Sequence, residues 1–162
     1  MIRYPNEWLV TNGLGGYASG TVDGPLRRRY HGLLIASLPS LGRTVLLTQL
    51  DQGLLRNGEL HDINQGHLEE FSLVEGLPRW RYRFDGIVLE KRVLMPHQHN
   101  TVHVTYRCLG GCDGFLTLRL RPHVGFRPHE ASVTDTVRGT YAVTIREQQV
   151  EISNEAGVSA TL

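Results

Sequence analysis

The chain has 162 residues, 40% of them hydrophobic and 20% charged, which suits one globular domain with a sizeable core. Its 17 basic and 16 acidic side chains leave a formal net charge of +1, which excludes a global field able to gather nucleic acid or an anionic membrane surface. No run approaches the roughly 20 apolar residues of a membrane-spanning helix, and the opening MIRYPNEW lacks an apolar signal core, so a cytoplasmic protein is expected.

With 18 Gly and 7 Pro, and no sustained 3.6-residue apolar period, the chain reads as strands and turns throughout. Glu7 to Thr11, Tyr17 to Val22 and His31 to Ser37 are the first three expected strands, separated by a glycine-rich segment and by Asp23-Gly24-Pro25. Between the apolar runs Trp8-Leu9-Val10 and Leu33-Leu34-Ile35-Ala36 the sequence places Gly13, Gly15, Gly16, Gly20 and Gly24, then three arginines, Tyr30 and His31. A plain hairpin needs one or two glycines, so this density asks for close backbone approach or positive φ with a compensating benefit.

Pro39 to Gly42 breaks the chain before the strand Arg43 to Leu50, and Asn57-Gly58 is a two-residue hairpin signal between Gly53–Arg56 and Glu59–His61. Trp80, Tyr82 and Phe84 alternate with Arg79, Arg81 and Arg83, which predicts a half-buried strand whose aromatic face is core rather than a sugar platform. Asp85-Gly86 turns it into Ile87 to Met95, and Thr101 to Cys108 follows with Val102, Val104, Tyr106 and Cys108 on one face. Leu116, Leu118 and Leu120 oppose Thr117, Arg119 and Arg121 in the next strand. The segment from His123 to Arg138, broken near Pro122 and Pro128, is expected to be a long loop. Gly139 to Arg146 and Gln149 to Ser153 bring the total to about ten strands, an all-β antiparallel sandwich or barrel. Val158 to Leu162 reads as the start of a further strand of a domain cut short, whose exposed edge would favour a homodimer.

Several chemical readings can be weighed on this frame. Gly13 to Ala18 fits the dinucleotide pattern G-x-G-x-x-A, but a phosphate-binding loop must open a helix, and Ser19 to Pro25 cannot continue as one. Cys108 and Cys112 flank Leu109-Gly110-Gly111 with no second pair to complete a zinc site; free thiols are expected, with oxidation across the Gly-Gly turn as the alternative. His97, His99 and His103 are weak candidates for a metal in a cupin-like sandwich, because the glutamate that such a site wants after the second histidine is missing. Hydrolysis of a glycoside needs two carboxyl groups about 5 to 9.5 Å apart, and neither the adjacent Glu69-Glu70 nor Glu7, Asp23 and Asp51 marks such a pair.

The segments Glu7-Trp8-Leu9, Thr11-Asn12-Gly13-Leu14-Gly15-Gly16-Tyr17-Ala18-Ser19-Gly20-Thr21 and Arg28-Arg29-Tyr30-His31-Gly32-Leu33-Leu34 carry a resemblance, to which Leu120-Arg121-Pro122 adds. They resemble the N-terminal domain of bacterial and archaeal-type glycogen debranching enzymes, the amylo-alpha-1,6-glucosidases. The resemblance covers most of the chain. It implies a β-sandwich rather than a barrel, and a following (α/α)6 helical domain, absent from this chain, that carries the catalytic carboxylates. By that resemblance the chain is a single non-catalytic domain with no cofactor, whose partners are an alpha-glucan, glycogen or branched dextrin, and the catalytic domain of the parent protein. Asn12, Gly13, Gly15, Gly16, Tyr17, Arg28, Arg29, Tyr30 and His31 are then the substrate-binding or domain-docking residues. Guanidinium forks and aromatic faces suit sugar hydroxyls and rings, or a carboxylate on a partner. The alternatives are the cupin-like metalloenzyme and a purely structural interaction domain.

Overall fold

Residues 7–56, 58–63, 66–112, 116–133 and 139–162 are described by the computed structural model. They form thirteen strands, with no helix among the described residues. The first sheet holds β1 (Glu7–Thr11), β2 (Tyr17–Thr21), β3 (Gly32–Leu38), β4 (Gly42–Arg56) and β10 (Thr117–Pro128) in that order, with β5 (Glu59–Asp62) also paired to β4. The second is β6 (Leu68–Val74), β7 (Leu77–Phe84), β8 (Ile87–Leu94) and β9 (His103–Gly110), a meander in chain order. The third is β11 (Tyr141–Arg146), β12 (Gln149–Asn154) and β13 (Ser159–Thr161).

Local turn chemistry sets the hairpin registers. Asp85 and Gly86 both have positive φ, 51° and 83°, as a type I′ turn requires, and Phe84 pairs directly with Ile87. Glu75 and Gly76 do the same between β6 and β7, at φ 54° and 79°. Arg56 pairs with Glu59, so the hairpin expected around Asn57-Gly58 has its two-residue connection; Asn57 itself lies outside the described residues.

The first two sheets pack face to face as a sandwich. Trp8, Val10, Ala18, Leu33 and Leu47 of the first sheet, with Val22 just beyond β2, meet Phe71, Trp80, Tyr82, Val93 and Met95 of the second sheet and its edge. The aromatic alternation is therefore core, as its period implied: Trp80 is 2% exposed, with Trp8 edge-on at 5.3 Å and Phe71 at 5.1 Å between ring centroids. Both indole N–H groups donate at the end of β2, Trp8 to the carbonyl of its last residue, Thr21, and Trp80 to the Val22 carbonyl just beyond it, at 3.2 and 3.0 Å. Polar satisfaction inside the sandwich thus fixes the start of the Asp23–Gly24 turn. On the outer face of the first sheet Ala36, Leu46 and Phe126 are covered by Tyr141, Ile152, Val158 and Ala160 of the third sheet and its turn. With both faces of β4 covered there, Val45, Leu46 and Leu47 are buried in succession and the period-2 pattern disappears.

Two expectations are corrected. The first part of the segment expected as a loop, His123 to Pro128, is strand: β10 continues to Pro128, paired with β4 as far as Thr44, while 134–138 of that segment lie outside the described residues. β10 occupies the edge of its sheet, where a proline forfeits no ladder bond to an outer neighbour, and register shifts at His123/Val124 and Val124/Arg127 absorb the irregularity. The cysteines are not free thiols. Gly110 and Gly111, the latter at φ 71°, fold the chain back until the Cα atoms of Cys108 and Cys112 are 6.4 Å apart, within bridging reach, and the two form a disulfide.

Candidate functional site

The Asn12–Gly16 turn is tied from below by one side chain. Asn12 is fully buried, and its Oδ1 accepts from the backbone N–H groups of Leu14 and Gly16 at 2.9 and 3.0 Å. Its Nδ2 donates to the His99 carbonyl at 2.9 Å and to Asn100 Oδ1 at 3.0 Å, while its own carbonyl accepts from Gln98 N–H. Asn100 in turn donates to the Ser37 carbonyl at 3.0 Å. An asparagine can use its whole hydrogen-bonding capacity in such a place, and this one joins β1, β3 and the Pro96–Asn100 turn.

That knot explains two of the glycines. A Cβ on Gly16 would stand 2.7 Å from Asn12 Nδ2 and 2.9 Å from the Ile35 carbonyl oxygen. Gly13 has φ +79° and lies flat against the His97 ring, 2.7 Å from where its Cβ would be. His97 is therefore occupied in packing on the loop, and His99 contributes its carbonyl. Among the described residues no three His, Cys, Asp or Glu side chains converge as a metal-ligand set, so His97, His99 and His103 do not come together as one.

Above the knot lies an open cleft of about 740 Å³. Of the residues expected at the site, Gly13, Gly15, Gly16, Tyr17, Arg28, Tyr30 and His31 line it; Asn12 is buried beneath it. Arg29 braces the wall, stacking at 4.7 Å over the Tyr30 ring and bonding its hydroxyl. The Tyr17 hydroxyl donates to the Tyr30 carbonyl at 3.0 Å, which links the two tyrosines, and the buried Arg127 donates to the Arg29 carbonyl at 2.9 Å. Arg43, His129 and Glu130 complete the cleft and carried no sequence signal of their own. His129 and Glu130 arrive because β10 runs as far as Pro128 beside β4: the His129 N–H donates to the Arg43 carbonyl at 3.0 Å, and the His129 ring lies 5.7 Å from that of Tyr30.

Two carboxylates, Glu7 and Glu130, and two guanidinium groups, Arg28 and Arg43, line the cleft, and Arg28 Nε donates to Glu7 Oε1, which holds the Glu7 carboxyl below the usual carboxylate range. A carboxyl held ionised in this way orients Arg28 and is unsuited to donating a proton. His31 is buried, and its Nδ1 accepts from the Arg27 N–H at 3.2 Å, so the proton of the neutral ring sits on Nε2, 3.6 Å from Glu7 Oε1. Burial lowers the His31 pKa below its ordinary 6.5, and Glu7 opposes that only in part.

A pH dependence follows. Because the folded-state pKa lies below the unfolded one, the unfolded chain takes the proton first. Stability from this group is therefore full above pH 6.5 and lost as pH falls from there to the folded value. Urea midpoints measured at pH 7.5 and at pH 5.5 should differ more for the native chain than for His31→Gln; equal differences would show that His31 does not titrate as described.

A model of the family described as glycogen debranching enzyme N terminal matches residues 6–159. Neither the curated proteins nor the solved structures contain a match.

Proposed function

The chain belongs to the glycogen debranching enzyme N-terminal family, and from that membership we propose that it is the non-catalytic N-terminal domain of a glycogen-debranching-type alpha-1,6-glucosidase, holding alpha-glucan in the Tyr17–Tyr30 cleft beside the catalytic domain. Glycogen catabolism in the cytoplasm is the setting this reading implies.

The observation that carries it is the combination of aromatic surface with balanced charge. Two tyrosines and two histidine rings stand among two carboxylates and two guanidinium groups, a set that attracts neither anion nor cation on balance and offers hydrogen bonds in every direction. A neutral chain of sugar rings fits that chemistry, and the volume exceeds the need of a single ring. Leu9 and Leu14, 58% and 45% exposed beside the cleft, supply the apolar rim against which a second domain can pack.

Calorimetric titration with maltoheptaose tests the binding half of this reading. Saturable binding is expected, weakened about tenfold by Tyr30→Ala through loss of the stacking face, at unchanged melting temperature. No saturable heat, or equal affinity for the variant, would refute it and leave the purely structural reading, which the Asn12 knot favours for the glycine loop.

A further inference from the structure

The Cys108–Cys112 bond stands where a reductant can reach it. β9 is an edge strand of the second sheet, and Cys108 is exposed on it. Cys112 is half-buried and packs against the cluster of Leu54, Ile63, Ile87 and Leu89. The two cysteines are separated by 4 positions in sequence. A disulfide stabilises chiefly by restricting the unfolded chain, and does so less the shorter the loop it closes, so this one adds little to folding.

Backbone contacts bring the two sulfurs together. Cys108 pairs with Leu89, and Gly110 with Val88, in the ladder between β8 and β9. Gly111, at φ 71°, lies so close to the Asp85-Gly86 turn that a Cβ there would stand 2.1 Å from the Gly86 carbonyl oxygen. None of these contacts involves sulfur, so they hold the two residues near each other whether or not the bond is closed. The Gly110 carbonyl oxygen is 3.4 Å from Cys108 Sγ and 3.7 Å from Cys112 Sγ, which gives both thiols of the reduced pair an acceptor already in place. The same local fold therefore suits both oxidation states.

We propose that Cys108 and Cys112 form a reversible thiol–disulfide site, opened in the folded chain by a protein dithiol and closed by hydrogen peroxide. On opening, a thiolate of the reductant attacks Cys108 Sγ, the exposed sulfur. The S–S bond breaks, and Cys112 leaves as a thiolate that takes up a proton. The second thiol of the reductant then displaces Cys108 from the mixed disulfide, so the chain gains two electrons and two protons and the reductant is left as a disulfide. On closing, peroxide converts the Cys108 thiol to a sulfenic acid and water, and the Cys112 sulfur attacks the oxidised sulfur and expels a second water. The Leu54 cluster registers the change, because Cys112 packs on it together with Leu116 and Leu118. The site does not depend on the cleft's binding glucan.

Maleimide labelling of the native chain, read by intact mass, tests the proposal without denaturant. Thioredoxin kept reduced by its reductase should make both cysteines available to the label, and hydrogen peroxide should then return the chain to the unlabelled form. A thioredoxin variant lacking its second cysteine should be trapped on Cys108, as peptide mass will locate. The chain carrying both Cys108→Ser and Cys112→Ser should melt within about 5 °C of the oxidised chain, as a bond closing so short a loop predicts. The proposal is overturned if thioredoxin leaves the bond intact in the native chain, if peroxide fails to close the reduced pair, if the trap sits on Cys112, or if the double variant melts lower than that limit, which would make the bond a structural brace.

Discussion

Replacing Asn12 by alanine is expected to destabilise the chain by about 3–5 kcal/mol, because it removes at once four hydrogen bonds, one of them buried and three part-buried. The substitution leaves the Gly16 N–H and the His99 carbonyl without partners, and loosens the Leu14 N–H and Asn100 contacts as well. Asn12→Asp is expected to be no milder, although it keeps the size and shape. It retains the acceptor for Leu14 and Gly16 but sets a second carboxylate oxygen against two acceptors, His99 O and Asn100 Oδ1, in a fully buried place. Since whole domains are stable by about 5–15 kcal/mol, urea denaturation will resolve either change easily. A loss under about 1 kcal/mol for Asn12→Ala would show that the loop is held by something else.

Gly16→Ala should cost about 3 kcal/mol, although alanine is ordinarily the gentlest replacement for glycine. Two of the three atoms its Cβ would meet belong to the Asn12–Asn100 hydrogen bond and the third is the Ile35 backbone carbonyl, none of which can move without opening the knot. Gly58→Ala is the informative comparison. That residue has φ +85° with nothing within 4 Å of the added carbon, so only backbone strain of about 1 kcal/mol is expected there. Equal losses at the two positions, compared in the same denaturation experiment, would mean that close packing against Asn12 is not what Gly16 supplies.

The hairpins and the core face of β7 were legible because their determinants are local. Asp85-Gly86 specifies its turn within two residues, and Trp80 and Tyr82 declare their face by simple alternation. Glu75-Gly76 makes the same turn, but glutamate is a poor signal for positive φ, so β6 and its hairpin went unread. The extension of β10 was hidden by Pro122 and Pro128, because sequence alone does not say that a strand lies at a sheet edge. At the candidate site, the glycine density of residues 13–16 points to positive φ or close approach, and the groups that approach Gly13 and Gly16 are the chain's own His97 and Asn12. What approaches them could not be read, since Asn12 and Asn100 are 88 residues apart. His97 and His99 drew attention as metal candidates when their part is to pack on and bond to that loop. Arg43, His129 and Glu130 enter the cleft only through the pairing of β4 with β10, which no short motif encodes.

The opening motif divides into two layers, a buried knot that shapes the loop and an exposed cleft that is here proposed to meet a ligand. Amide chemical-shift mapping of the chain titrated with maltoheptaose tests that division most directly. The predicted result is saturable shifts gathered at Tyr17, Tyr30, Arg43 and His129, lost in Tyr30→Ala, while residues of the third sheet stay unmoved. Shifts that never saturate, or that gather on the third sheet and spare the cleft, would contradict it.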